Sequence, residues 1–116
     1  MKHINISNLS NINNLTELLE VGKHFKFPVL IRLSNQEGDS NFLVDRVVKS
    51  VTEASTIQIE YEKLSTELSN QIKGELRIVK NPVLLLLHKG EIKSIFEGMV
   101  AQFQIEKALQ ELQKSF

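Results

Sequence analysis

The sequence contains no cysteine, so disulfides, thiolate nucleophiles and cysteine-ligated metals are excluded together. It has no surplus of either charge, since Lys+Arg and Asp+Glu both number 14. Partners such as nucleic acid or an anionic membrane draw on a basic surplus, so the balance argues against both. Long hydrophobic runs are missing too. The longest, Val83-Leu84-Leu85-Leu86-Leu87, is far short of the ~20 residues a membrane-spanning helix needs. The opening segment has Lys2 but no apolar stretch of signal-peptide length, and the expectation is a cytoplasmic protein. His3, His24 and His88 are scattered without metal-ligand spacing, so neither a metal nor a cofactor is expected. There are no repeats, no Pro/Gly-rich linker and no long charge block. What is present is ordinary globular composition, 41% hydrophobic and 24% charged. The length suits a single domain over residues 1–116 that needs no covalent staple.

Hydrophobic periodicity divides the chain into alternating elements. His3-Ile4-Asn5-Ile6 reads as a short edge strand. Asn14, with Glu17 three residues on, has capping-box form. Leu15, Leu18 and Leu19 give the following helix its apolar stripe, and Gly22 is its expected stop. The nearly continuous apolar stretch from Phe27 to Leu33 suits a strand covered on both faces, with Pro28 placed where a missing donor matters least. Residues 34–41 have loop composition. Val44, Val47, Val48 and Val51 predict a helix over about 42–54. Ile57, Ile59 and Tyr61 alternate with Gln58, Glu60 and Glu62, a strand signal. Ser65 is placed to cap a short helix with Leu68 and Ile72, closed by Gly74. Residues 83–96 read as a β-hairpin, with Gly90 at a left-handed turn position. Ile105, Ala108, Leu109, Leu112 and Phe116 line one face of a last helix. The order is β-α-β-α-β-α-β-β-α, three alternating units closed by the hairpin.

That order, together with Asn81-Pro82-Val83-Leu84-Leu85-Leu86-Leu87-His88-Lys89-Gly90-Glu91 and the later Glu97-Gly98, resembles the thioredoxin family. The resemblance implies an α/β, thioredoxin-like three-layer fold, with a mixed central sheet of about five strands flanked by about four helices. It also implies a cis peptide before Pro82, at the opening of an apolar strand. The family's Cys-x-x-Cys motif falls on Gly38-Asp39-Ser40-Asn41. Both sulfur positions are therefore lost, to Gly38 and Asn41, and thiol–disulfide exchange has no attacking and no resolving thiol. Ser40 is no substitute, because an unactivated hydroxyl is a poor nucleophile. Where the family keeps a buried aspartate the chain has Arg32, which is no general base. A buried arginine needs a carboxylate partner. Glu60, on the neighbouring predicted strand, is the expected one, with Asp45 and Glu62 as alternatives.

The resemblance and the missing thiols together imply a redox-inactive domain that binds or scaffolds a protein or peptide partner, without enzymatic activity. The expected binding surface comprises Gln36, Glu37, Gly38, Asp39, Ser40, Asn41, Asn81, Pro82, Val83, Gly98 and Met99. A homodimer is compatible with it. For residues 36–41 a plain helix-capping turn and a recognition loop both stand. Met99 reads equally as an apolar rim or as core filler. The rival reading is a non-thiol enzyme or small-ligand carrier using Glu37, Asp39 and Ser40 as its polar groups.

Overall fold

A computed structural model describes residues 11–36 and 38–115. The chain enters helix α1 (Leu15–Gly22), then strand β1 (Val29–Leu33), α2 (Gly38–Ala54), β2 (Glu60–Leu64), α3 (Thr66–Leu76), β3 (Val83–His88), β4 (Glu91–Glu97) and α4 (Gln102–Gln113). The described residues form a four-stranded sheet in the order β2-β1-β3-β4. The β1–β2 pair is parallel, while β1–β3 and β3–β4 are antiparallel. The expected fifth strand at His3–Ile6 lies outside the described residues.

The continuous apolar runs explain the layering. All six residues of β3 are buried, as required of a strand covered on both faces. Alternate side chains sort into two cores. Val29, Ile31, Leu33, Val83, Leu85 and Leu87 pack with Leu18 of α1 and with Leu68 and Ile72 of α3. Leu30, Leu84 and Leu86 pack on the other face, with Val44, Val48 and Val51 of α2 and Ile105, Leu109 and Leu112 of α4. The result is a helix–sheet–helix sandwich. The β-branched stripe of α2 is helical because it is buried, not because valine favours helix.

Local signals set the ends of most elements. Asn14 caps α1, its side chain accepting from the Glu17 N–H at 2.9 Å, while the Glu17 carboxylate accepts from the Asn13 N–H at 2.9 Å. Ser65 caps α3 by accepting from the Leu68 N–H. The β3–β4 hairpin turns on Lys89 and Gly90, at φ 54 and φ 80. At Gly90 an added Cβ would sit 2.5 Å from Lys23 Cγ and 3.0 Å from the Leu19 carbonyl, so α1 closes over the turn only because this residue is glycine.

Two ends differ from expectation. Helix α2 begins at Gly38, about a turn before the predicted start, so Gly38 to Asn41 are its first helical turn and not a loop. Helix α3 runs through Gly74 to Leu76 and stops at Arg77, which takes the left-handed position at φ 59. Glycine is tolerated inside a helix when tertiary packing holds the flanking turns, and here Ile72 and Lys73 are buried.

Candidate functional site

The candidate site lies where β1 ends and α2 begins, beside the start of β3. Three sets of side chains meet there: a buried polar network, an amide clamp, and an apolar surface.

The network is built around Arg32. Its Nη1 donates to both Asp45 carboxylate oxygens at 2.8 Å and to the Asn41 carbonyl at 3.4 Å, and its Nη2 donates to Ser34 Oγ at 3.0 Å. The Tyr61 hydroxyl donates to Asp45 in a short bond, and Lys63 Nζ stands 3.7 Å from the same carboxylate. Burial, and then the Asp45 hydrogen bond and charge, raise the Tyr61 phenol well above its ordinary range, against a smaller opposing pull from Arg32. Tyr61 is thus held as a donor and not as a base. Arg32 Nε is buried without a hydrogen-bond partner among the described residues. Ser34 extends the network, since its N–H donates to Ser69 Oγ of α3 at 2.8 Å and its hydroxyl donates to the Leu64 carbonyl.

The expected Arg32–Glu60 ion pair is not formed; the partner is Asp45. Register explains the difference. In the parallel pair β1–β2, Glu60 lies opposite Val29 and Glu62 opposite Ile31, while Tyr61 lies opposite Leu30 and Lys63 opposite Arg32. Side chains alternate along a strand, so Glu60 and Glu62 share the α1/α3 face with Val29 and Ile31, away from Arg32. Helix α2 crosses the correct face and delivers Asp45. Glu60 and Glu62 are instead buried beside each other, at 9% and 8% exposure, and Glu60 Oε1 has no hydrogen-bond partner among the described residues. Burial first, and the Glu60 charge second, push the Glu62 carboxyl above the usual carboxylate range.

The amide clamp occupies the stretch aligned with the family's cysteines. The Asn41 side chain accepts from the Asn35 N–H at 3.3 Å and donates to the Asn35 carbonyl at 2.9 Å. Ser40 Oγ donates to Asn35 Oδ1 at 3.3 Å. Gly38 and Asp39 are exposed in the same turn, Gln36 is exposed just before it, and Glu37 lies outside the described residues. An added Cβ at Gly38 would meet nothing within 4 Å. The clamp turns the Asn35, Ser40 and Asn41 side chains onto one another, while Gln36 and Asp39 face outward.

Across from this corner, the Asn81–Pro82 peptide is cis. Asn81 is exposed, and its side-chain oxygen accepts a short bond from Lys73 Nζ. Pro82 and Val83 are buried, and the Pro82 carbonyl accepts from the Gly98 N–H at 2.8 Å. This bond ties the end of β4 to the start of β3 and sets Met99 at the surface, 51% exposed. Met99 is therefore rim and not core. It lines a cavity of about 250 Å³ together with Leu43, Arg46, Val47, Ser50 and Gln102.

Sequence reasoning missed Phe42, Leu43 and Phe103, which are 61%, 43% and 67% exposed. The signal was present. Phe42 and Leu43 fall off the 44/48/51 stripe of α2, and Phe103 falls off the 105/109/112 stripe of α4, so each has to point away from the core. Among the described residues no group of three His, Cys, Asp or Glu is arranged to hold a metal, and no helix is long and apolar enough to cross a membrane.

No protein-family model matches the sequence, and no curated protein matches it. Solved structures do match. The solution structure of reduced desulfothioredoxin from Desulfovibrio vulgaris Hildenborough superposes with a TM-score of 0.66 at 11% identity, over 80% of this chain and 88% of that one. A structure described as a malarial protein superposes with a TM-score of 0.61 at 7% identity, over 74% of this chain and 97% of that one. At such identities the likeness is one of fold.

Proposed function

From a thioredoxin-like fold that carries no cysteine, we propose a redox-inactive module that binds a protein or peptide partner. The binding surface is the corner formed by Gln36, Gly38 to Asn41, Asn81 to Val83 and Gly98–Met99, extended by Phe42, Leu43 and Phe103. One contrast carries this reading. The polar groups under the surface are consumed by each other: Asp45 by Arg32 and Tyr61, Asn41 by Asn35, and Ser34 by Leu64 and Ser69. Around them Phe42, Leu43, Met99 and Phe103 turn outward, each more than 40% exposed. Such a site has few convergent titratable groups with which to perform chemistry. Its exposed Phe, Leu and Met side chains suit contact, because aromatic residues and Met are enriched where proteins meet.

Two measurements test this. In an insulin disulfide-reduction assay the protein has no activity above buffer. In an amide NMR titration with extended peptides bearing large apolar side chains, shifts concentrate at Leu43, Gly98 and Met99. The double substitution Leu43→Glu, Met99→Glu abolishes them, while thermal stability changes little, as is usual for exposed positions. Binding retained by the double variant, or shifts mapping elsewhere, would overturn the proposal.

A further inference from the structure

The opposite end of the sheet is built differently. Where β1 pairs with β3, Leu33–Val83 marks the end nearest Pro82, and Val29–Leu87 marks the far end. Beyond the far end a cavity of about 460 Å³ opens between the segments leading into β1 and β2 and the β3–β4 turn. That volume is in the range of small-ligand sites. Its apolar wall is Phe27, Pro28 and Ile57, and its polar wall includes Lys26 and Lys89, with no carboxylate among the described lining residues.

Two observations give this cavity a positive character. First, the neighbouring lysines are spoken for, with Lys23 on Glu20 and Lys93 on Glu91, whereas Lys26 and Lys89 form no ion pair among the described residues. Lys26 Nζ instead lies 5.6 Å from the centre of the Phe27 ring, on the apolar wall itself. Second, Lys89 occupies a left-handed turn position at φ 54, where Asn, Asp or Gly is the unstrained choice. The fold tolerates that conformation and so places an ammonium at the cavity mouth. His88 is buried in the same lining; burial, then Lys89 and Lys93, hold its imidazole below the ordinary histidine value against Glu91, so it adds no charge of its own.

We infer that this cavity is a second ligand site, separate from the Pro82 corner, for a small anion carried on a flat apolar body, of the aromatic carboxylate class. Lys26 and Lys89 meet the carboxylate, and Phe27, Pro28 and Ile57 take the ring. The pairing of ammonium groups that form no ion pair among the described residues with an apolar wall selects for both halves of such a ligand at once. Either half alone gains only part of the contact.

Benzoate is the probe, titrated into 15N-labelled full-length protein beside benzyl alcohol, which lacks the charge, and acetate, which lacks the ring. Saturable shifts are expected at Phe27, Ile57, Gln58, His88 and Lys89, with both controls weaker by about tenfold or more. The double variant Lys26→Gln, Lys89→Gly weakens benzoate by about tenfold. It melts no lower than the wild type, because glycine suits the turn. If benzyl alcohol binds as well as benzoate, the cavity is merely apolar; if acetate does, it reads charge alone. Either result overturns the inference, as do benzoate shifts confined to Leu43 and Met99 or affinity unchanged in the double variant.

Discussion

Strand β2 carries two electrostatic regions back to back, and they are opposites. On the α2 side, Tyr61 and Lys63 converge on Asp45, which Arg32 holds through two 2.8 Å contacts. On the α1/α3 side, Glu60 and Glu62 are buried together with no ion pair among the described residues, and one oxygen of Glu60 has no hydrogen-bond partner among them. The residues are sequence neighbours, and only the pleat separates them. The lesson is that charge in a strand has no meaning until parity assigns it a face. The same carboxylate stabilises when a guanidinium lies across from it and costs stability when a second carboxylate does.

The largest expected effect breaks the paired side. Asp45→Ala leaves a guanidinium whose side chain is only 11% exposed without its partner. The expected loss is about 3 kcal/mol, the low end for breaking a buried pair, because Asp45 itself retains 29% exposure. Urea unfolding measures it. Adding Arg32→Met to Asp45→Ala should recover part of that loss, since no stranded charge remains. Glu60→Gln should cost nothing, and a loss there comparable to Asp45→Ala would return Arg32 to the other face. Next in size, Tyr61→Phe removes one donor to a charged acceptor, for an expected loss of about 1.5 kcal/mol in the same assay.

The unpaired side supplies the smaller and pH-dependent effect. Glu62 has a folded-state pKa above its unfolded one. The native state therefore binds the proton more tightly, and stability falls as pH rises from the ordinary carboxyl range through the raised native value. Glu62→Gln removes that penalty. Thermal melts should show the variant more stable than wild type at neutral pH, and the gain should vanish below the ordinary carboxyl range. A gain independent of pH would mean that packing, and not charge, is responsible.

The smallest effects lie at helix ends, where the α2 face and the α3 face again differ. Helix α2 is stapled to its loop by Asn41, whereas α3 stops on a left-handed arginine and carries a glycine inside. Gly74→Ala has open space around the new Cβ and should stabilise by about 0.5–1 kcal/mol. Chemical denaturation resolves a change of that size, and a loss would show that α3 ends near Gly74 after all.

Much of the fold was legible for local reasons. The apolar run 83–87 demanded cover on both faces, Lys89-Gly90 demanded a tight turn, and Asn14 and Ser65 announced helix starts. The start of α2 was not legible, because Gly38 to Asn41 have loop composition and become helical through the Asn35–Asn41 clamp and the Arg32–Asn41 contact. Nor was the end of α3, where glycine advertised a stop that the buried Ile72 and Lys73 overrode. The candidate site was half legible. Its residue numbers followed from resemblance to a known pattern, but the inward turn of Ser40 and Asn41 and the outward turn of Phe42, Leu43 and Met99 depend on side-chain direction.

The sequence alone determined that no thiol chemistry is available to these residues, since composition is independent of conformation. It also determined which strands must be central, since apolar runs cannot face water. The partner of Arg32, the burial of Glu60 and Glu62 on the opposite face, and the surface left open beside Pro82 were decided only by tertiary structure. Each depends on which face of the sheet a side chain takes and on which helix crosses that face, and those are relations between segments distant along the chain.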